Sequence, residues 1–151
     1  MTLSANREPL RAFSGGRDPG DAGSASRFLV LEGLQLERRD REVHCRVQLG
    51  RANRTFHGEA REMDTQTGHA RAAARATLAA AEQAVPGLSL GLEGVTVTNL
   101  FARTYVVVSV EAAQDRQSAL LAGLINLDPN RPIEDAAILA TLRAIDRWIA
   151  S

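Results

Sequence analysis

The segment Ala72-Ala73-Ala74-Arg75-Ala76-Thr77-Leu78 returns 64 residues later as Ala136-Ala137-Ile138-Leu139-Ala140-Thr141-Leu142, with five of seven positions identical. A shorter echo precedes it, Leu31-Glu32-Gly33 against Leu92-Glu93-Gly94. A chain that repeats itself in this way is one structural unit written twice, and each element has to be read within that frame. The frame predicts two halves, 27–87 and 88–151, that close over a common interior.

In the first half, Phe28–Glu37 reads as a strand in which Val30, Leu34 and Leu36 share a face and Gly33 marks a bend or bulge. The charged run Glu37-Arg38-Arg39-Asp40-Arg41 is a connection. Glu42–Leu49 alternates strictly. Val43, Cys45, Val47 and Leu49 point one way, while Glu42, His44, Arg46 and Gln48 point the other. Gly50-Arg51-Ala52-Asn53 turns the chain into Arg54–Ala60. Centring that turn on Arg51-Ala52 pairs Val47 with Phe56, Cys45 with Gly58 and Val43 with Ala60. On the opposite face the same register pairs Arg46 with His57 and His44 with Glu59. Asp64-Thr65-Gln66-Thr67-Gly68 offers several N-caps. The helix after it runs to about Val85, where Pro86-Gly87 stops it. Its inner face is read as Ala73, Ala74, Thr77, Leu78, Ala81, Ala84 and Val85.

The second half follows the same plan. Leu90–Leu100 is a strand with Gly94 placed like Gly33. Arg103–Glu111 is the strongest strand signal in the chain, with Val106, Val107, Val108 and Val110 all β-branched. Ala112-Ala113-Gln114-Asp115 turns it into Gln117–Leu127. A break at Pro129-Asn130-Arg131-Pro132 precedes a helix from about Ile133 to Ala150, with Glu134 and Asp135 at its positive end. The apolar arc of that helix, built on Ile138, Leu142, Ile145 and Ile149, covers half the circumference or more. One sheet needs less, so the helix is expected to pack on a second helix or another chain. Met1–Ser26, rich in Gly, Asp and Ser through Phe13–Ser24, reads as a disordered N-terminal tail.

Composition excludes more than it assigns. All 18 basic residues are arginine, balanced by 18 acidic ones. Without lysine there is no P-loop lysine and no Schiff base to pyridoxal phosphate. No apolar run approaches the roughly 18–20 residues that span a bilayer, so no membrane partner is expected. The first 26 residues hold no apolar stretch of the secretory-signal kind. The single Cys45 cannot close an internal disulfide. A cytoplasmic protein is expected.

The residues that could carry chemistry are few. His44, Arg46, His57 and Glu59 fall on the polar face of the first hairpin, where two histidines and a carboxylate would make an incomplete metal site or an acid–base pair. Solvated strand positions are the plain alternative. His69, in a helix first turn, could bind an anion when protonated, or simply stand exposed. Cys45 is read as a small core residue. Asp64, Asp128, Glu134 and Asp135 sit at helix starts, where the dipole explains them. No Ser-His-Asp spacing, phosphate loop or Cys–His metal set is present, so no catalytic residue, metal or cofactor is assigned.

The strand–strand–strand–helix order in each half, and the run Ala144-Ile145-Asp146-Arg147 closing the segment Ala136–Trp148, resemble the leucine-binding regulatory domain of 2-isopropylmalate synthase. That domain is also two three-strand-plus-helix units, ending in a similar Ala-Leu-Asn-Arg run. The resemblance spans about residues 28–150 as topology and the last helix as motif. It implies a regulatory, dimerising, ligand-binding module. The synthase reaction is not implied, because nothing here corresponds to the catalytic barrel. The stretch Gly58-Glu59-Ala60-Arg61-Glu62-Met63-Asp64 lacks the family's Gly-Pro step, and the leucine pocket is not carried over, because the residues that would close it are not matched. Val43–Ala60 followed by Ala-rich Arg71–Val85 also resembles part of a double-stranded-RNA-binding domain. The usual Lys-rich helix start is here Thr67-Gly68-His69-Ala70-Arg71.

These readings converge on an α+β fold of two tandem βββα repeats with pseudo-two-fold symmetry, the antiparallel sheets packed with two helices. The function expected is a non-catalytic small-molecule-binding or regulatory module. A homodimer is expected through the second repeat at Tyr105, Val107, Leu120, Leu124 and Leu139, because that hairpin is apolar on both faces. A small metabolite such as an amino acid is a possible ligand between the repeats. The alternatives are an RNA-binding module using Arg46, Arg51, Arg54, Arg61, Arg71 and Arg75, although nucleic acid is not the expected partner, and an enzyme centred on His44 and His57.

Overall fold

The computed structural model describes residues 6–7, 11–12 and 28–150. Its elements are β1 (Asn6–Arg7), β2 (Arg11–Ala12), β3 (Val30–Arg39), β4 (Glu42–Arg51), β5 (Arg54–Met63), α1 (Gln66–Ala84), β6 (Leu88–Leu100), β7 (Arg103–Gln114), β8 (Gln117–Asn126) and α2 (Ile133–Ala150). β3, β4 and β5 form one antiparallel meander and β6, β7 and β8 another. A helix follows each, so the chain is α+β with two tandem βββα units. Two short strands lie within the stretch read as a tail. β1 and β2 pair with β3, Asn6 opposite Arg38 and Arg11 opposite Leu34. The rest of that stretch lies outside the described residues.

All four hairpins have two-residue loops, Asp40-Arg41, Ala52-Asn53, Phe101-Ala102 and Asp115-Arg116. The first three have positive φ at both loop positions, and Asp115 has φ +57°. Such primed turns match the right-handed twist of the strands, and their usual signal is Asn-Gly or Asp-Gly. Here no hairpin loop contains a glycine. Asp40, Asn53 and Asp115 tolerate the left-handed region, whereas Phe101, at φ +54° and 91% exposed, adopts it at a cost of about 1–2 kcal/mol and gains no packing in return.

Placing the second turn at Ala52-Asn53 corrects the expected register by two residues. Val47 faces Gly58, Cys45 faces Ala60, Arg46 faces Glu59, His44 faces Arg61 and Gln48 faces His57. A slip of two preserves which face each side chain occupies. The core face therefore holds as read, with Val43, Cys45, Val47 and Leu49 fully buried. Both glycines after the Leu-Glu echo do mark bulges, between Leu31 and Gly33 and between Leu92 and Gly94. The bulges turn the intervening carboxylates outward in both units. Glu32 accepts from Gln48 and Thr55, and Glu93 accepts from the Ser109 hydroxyl.

α1 starts at Thr65, whose hydroxyl caps the Gly68 amide at 2.8 Å. Its buried surface is wider than the face read from the sequence and adds Ala70, Ala72, Ala76 and Ala80. The cause is position. α1 packs on β4 and β5 of its own unit, on β6 of the other, and on α2, while α2 packs on β7, β8 and α1. The wide apolar arc of α2 is thus met by a second helix, and one continuous core joins both units. The equivalences reach single atoms. Thr77 and Thr141, both fully buried, donate to the carbonyls of Ala73 and Ala137, each at 2.7 Å. Gly58 lies under α1 and Gly123 under α2, each against the helix backbone. Among the described residues no helix is long and apolar enough to cross a membrane.

Candidate functional site

The outer face of β3–β5 carries the four candidate polar residues, and the corrected register regroups them. Arg46 and Glu59 are direct cross-strand partners, with Nη2 to Oε2 at 3.2 Å, and His44 Nε2 reaches Glu59 Oε1 at 2.7 Å. The hydrogen bond from His44, aided by Arg46, holds the Glu59 carboxyl below its ordinary value against a smaller opposing effect of burial. His57 stands apart, opposite Gln48, with the Arg46–Glu59 row between it and the row of His44. The two histidines are therefore not neighbours, and the pairing that would have made a metal or acid–base site of them is undone by the turn geometry. Among the described residues no set of three or more His, Cys, Asp or Glu side chains could hold a metal ion.

The basic side chains of this half are largely matched by acids. Besides Arg46 on Glu59, Arg75 Nη1 lies 2.6 Å and Arg71 Nε 3.7 Å from the Glu62 carboxylate. A cleft of about 270 Å³ opens beside them, between α1 and β6, lined by Arg71, Arg75, Leu78, Glu82, Leu90 and Leu92 among others. It is a surface that both units build.

A further polar cluster forms around His69, which the sequence offered only as an anion-binding or an exposed residue. His69 is buried, 6% exposed, not standing in solvent at the head of α1. Its Nδ1 lies 2.5 Å from Glu134 Oε2 and its Nε2 lies 2.6 Å from Asp64 Oδ1. Arg38 Nε approaches the same Asp64 oxygen at 3.7 Å. Glu134 is also only 6% exposed. It thus does more than face the dipole of α2, because it links the first turns of both helices and so ties one unit to the other. The two carboxylates lie on opposite nitrogens of one ring, so the three groups do not converge on a common point where an ion or reacting atom could sit. With so little exposure the arrangement is a clamp between repeats. Its partner residues are 65 positions apart, and no local pattern joins them.

Asp146, late in α2, is a second group not anticipated. One of its carboxylate oxygens is buried and has no hydrogen-bond partner among the described residues. Burial pushes its pKa up from 3.8 to about 6. The equivalent residue in α1, Glu82, accepts from the Leu90 amide at 2.7 Å. The folded state therefore holds a proton on Asp146 across about pH 4–6 that the unfolded chain has released. Stability is lost as pH rises through that window, and the penalty is complete above it. Asp146→Asn should raise the melting temperature at pH 7.5, and the gain should vanish near pH 3.5. A gain of the same size at both pH values would show that the charge is not its cause.

The outer face of β6–β8 contrasts with that of β3–β5. Its rows across the three strands are Thr98–Tyr105–Asn126, Thr96–Val107–Leu124, Gly94–Ser109–Ala122, Gly91–Glu111–Leu120 and Ser89–Ala113–Ser118. Leu120 is 63% and Leu124 43% exposed. β8 contains no charged residue and no proline, and among the described residues no strand pairs with its far edge. Four of the five residues expected to form a dimer contact lie on this face. Leu139 does not, because it belongs to α2 beneath the sheet, where it packs against the core. No protein-family model matches this chain, and no curated protein sequence matches it.

Proposed function

We propose that the chain is a non-catalytic regulatory or binding module that works as a homodimer, joined through the outer face of β6–β8. The observation that carries this reading is the contrast between the two sheets. The outer face of β3–β5 presents His44, Arg46, His57, Glu59 and Arg61 to water. The outer face of β6–β8 presents Tyr105, Val107, Leu120, Ala122 and Leu124, with the carboxylates of Glu111 and of Glu93, which accepts from the Ser109 hydroxyl, as its charges. Five rows on three strands, at spacings of about 6.8 and 4.8 Å, give a face of roughly 500 Å² in projection. Two such faces packed together remove on the order of 1,000–1,500 Å² of accessible surface, comparable with specific dimer interfaces. Leu120 and Leu124, 63% and 43% exposed, are the apolar side chains that such a contact would cover.

Sedimentation velocity across a dilution series should show a dimer that dissociates on dilution. Leu120→Arg, at an exposed position, should leave the circular dichroism spectrum unchanged and yield monomer throughout. Wild type that is monomeric at every concentration sinks the reading. A small acid or amino acid bound in the cleft between α1 and β6 would be the regulatory ligand. At a hundred times its dissociation constant such a ligand adds about 2.7 kcal/mol, a rise of roughly 5–10 °C in a thermal-shift screen.

A further inference from the structure

The third strands of the two units close their sheets differently. β5 carries Arg54, Glu59, Arg61 and Glu62, whereas β8 runs for 10 residues with no charge and no proline. No register shift interrupts its pairing with β7. Charges, prolines and bulges are the usual means of keeping an edge strand from taking up another. Gln114 pairs with Gln117 around the two-residue loop, and at the other end Leu127 donates to the Thr104 carbonyl. The alternation of an antiparallel ladder then turns the N–H and C=O groups of Leu120, Ala122 and Leu124 away from β7. The Leu124 carbonyl agrees, since it accepts from Arg143 Nη1 at 3.3 Å.

We propose that this edge takes up an extended segment of another protein as a further strand, and that the segment alternates apolar with acidic side chains. Its residues opposite Leu120, Ala122 and Leu124 share the outer face with them and meet leucine. The residues in between turn toward α2. A hollow of about 480 Å³ follows the edge there, lined by Leu121 and Gly123 and by Arg143 and Arg147 of α2 among others. Both arginines are exposed, and among the described residues neither is bonded to a carboxylate. The first unit shows how such a pair is satisfied. Arg71 and Arg75, also four apart on a helix, share the carboxylate of Glu62 on β5, at 3.7 and 2.6 Å. β8 has no carboxylate to offer, so the incoming strand supplies it. Alternate residues of a strand lie about 6.8 Å apart and residues four apart on a helix about 6 Å, so two acids match two arginines. A second copy of β8 fits poorly. Antiparallel pairing would gather Arg143 and Arg147 of both copies along one seam with no acid between them. The site stands whether or not the outer faces pair.

The test is fluorescence anisotropy of a fluorescein-labelled peptide of alternating valine and glutamate with the full chain. The peptide should bind. Replacing its glutamates with glutamine, or combining Arg143→Gln with Arg147→Gln in the protein, should weaken binding about tenfold or more. On binding, amide exchange followed by NMR should slow at Leu120, Ala122 and Leu124 and stay unchanged at His57, Glu59 and Arg61. Absence of binding at millimolar peptide, or equal affinity for the glutamate and glutamine peptides, overturns the proposal. So does binding that leaves the three β8 amides exchanging as before. Amides already protected in the free chain, and more so at higher protein concentration, would place a second copy on the edge and overturn it as well.

Discussion

Gly58→Ala and Gly123→Ala are expected to be strongly damaging single-methyl changes, and to be damaging to a similar degree. A Cβ on Gly58 would overlap the carbonyl oxygen of Ala76 and come within 2.5 Å of the Ala80 nitrogen. A Cβ on Gly123 would overlap the carbonyl oxygen of Ala140 and come within 2.7 Å of the Ala144 nitrogen. Both obstacles are helix backbone, which cannot rotate away as a side chain does. The helix must lift off its sheet, and each helix is also wedged against the other. Overpacking of a rigid core costs typically about 1–3 kcal/mol and more where nothing can move. We expect at least about 3 kcal/mol at each site, a fall of roughly 6–12 °C in melting temperature. Gly94→Ala is the control, since a Cβ there meets nothing within 4 Å. Urea titrations of the three variants decide the matter. If Gly58→Ala and Gly94→Ala behaved alike, the close seating of α1 on β5 would be wrong.

These two glycines also explain why the alanine-rich helices repeat as they do. Ala76 and Ala80 in α1, and Ala140 and Ala144 in α2, are the residues whose backbones meet the glycine. Side chains larger than alanine at these buried positions would hold the strand away. The Ala-Thr-Leu echo in the sequence is thus the mark of a close helix–sheet contact made twice.

The order of strands and helices was readable because alternation over Glu42–Leu49 and termination at Pro86-Gly87 are local signals. The paired bulges were readable because the Leu-Glu-Gly echo placed them. The pairing of β4 with β5 was not, because Ala52-Asn53 enters the left-handed region without the glycine that usually announces it. The error left every side chain on its proper face, since a shift of two keeps the parity of a strand. It nevertheless changed which polar groups touch, and a candidate His44–His57 pair dissolved. β1 and β2 were missed because two residues are too few to show any alternation. The polar cluster at His69 was missed for a different reason. Its geometry depends on how the units dock, and only Asp64, five residues away, is near it in the chain.

That cluster supports the second large effect. His69 and Glu134 are buried together, with Asp64 on the other ring nitrogen. Removing one member of a buried pair that includes a carboxylate leaves its partner desolvated and unpaired, at about 3–5 kcal/mol. His69→Ala strands the Glu134 carboxylate, and Glu134→Ala strands one nitrogen of the ring. Each should cost an amount in that range by urea denaturation. Asp64→Asn should cost less, because the Asp64 side chain is 36% exposed and water can replace the lost interaction. The double variant His69→Ala/Glu134→Ala should cost far less than the two single changes added together, with a coupling of about 1.5–3 kcal/mol. The coupling carries the argument, because loss of packing at two independent sites would simply add. Trp148, the single tryptophan, reports on α2, whereas circular dichroism reports on both units. The His69–Glu134 contact joins the units, so the two signals should unfold together in the wild type and draw apart in His69→Ala. Additive costs with coincident transitions would mean that the clamp does not couple the repeats.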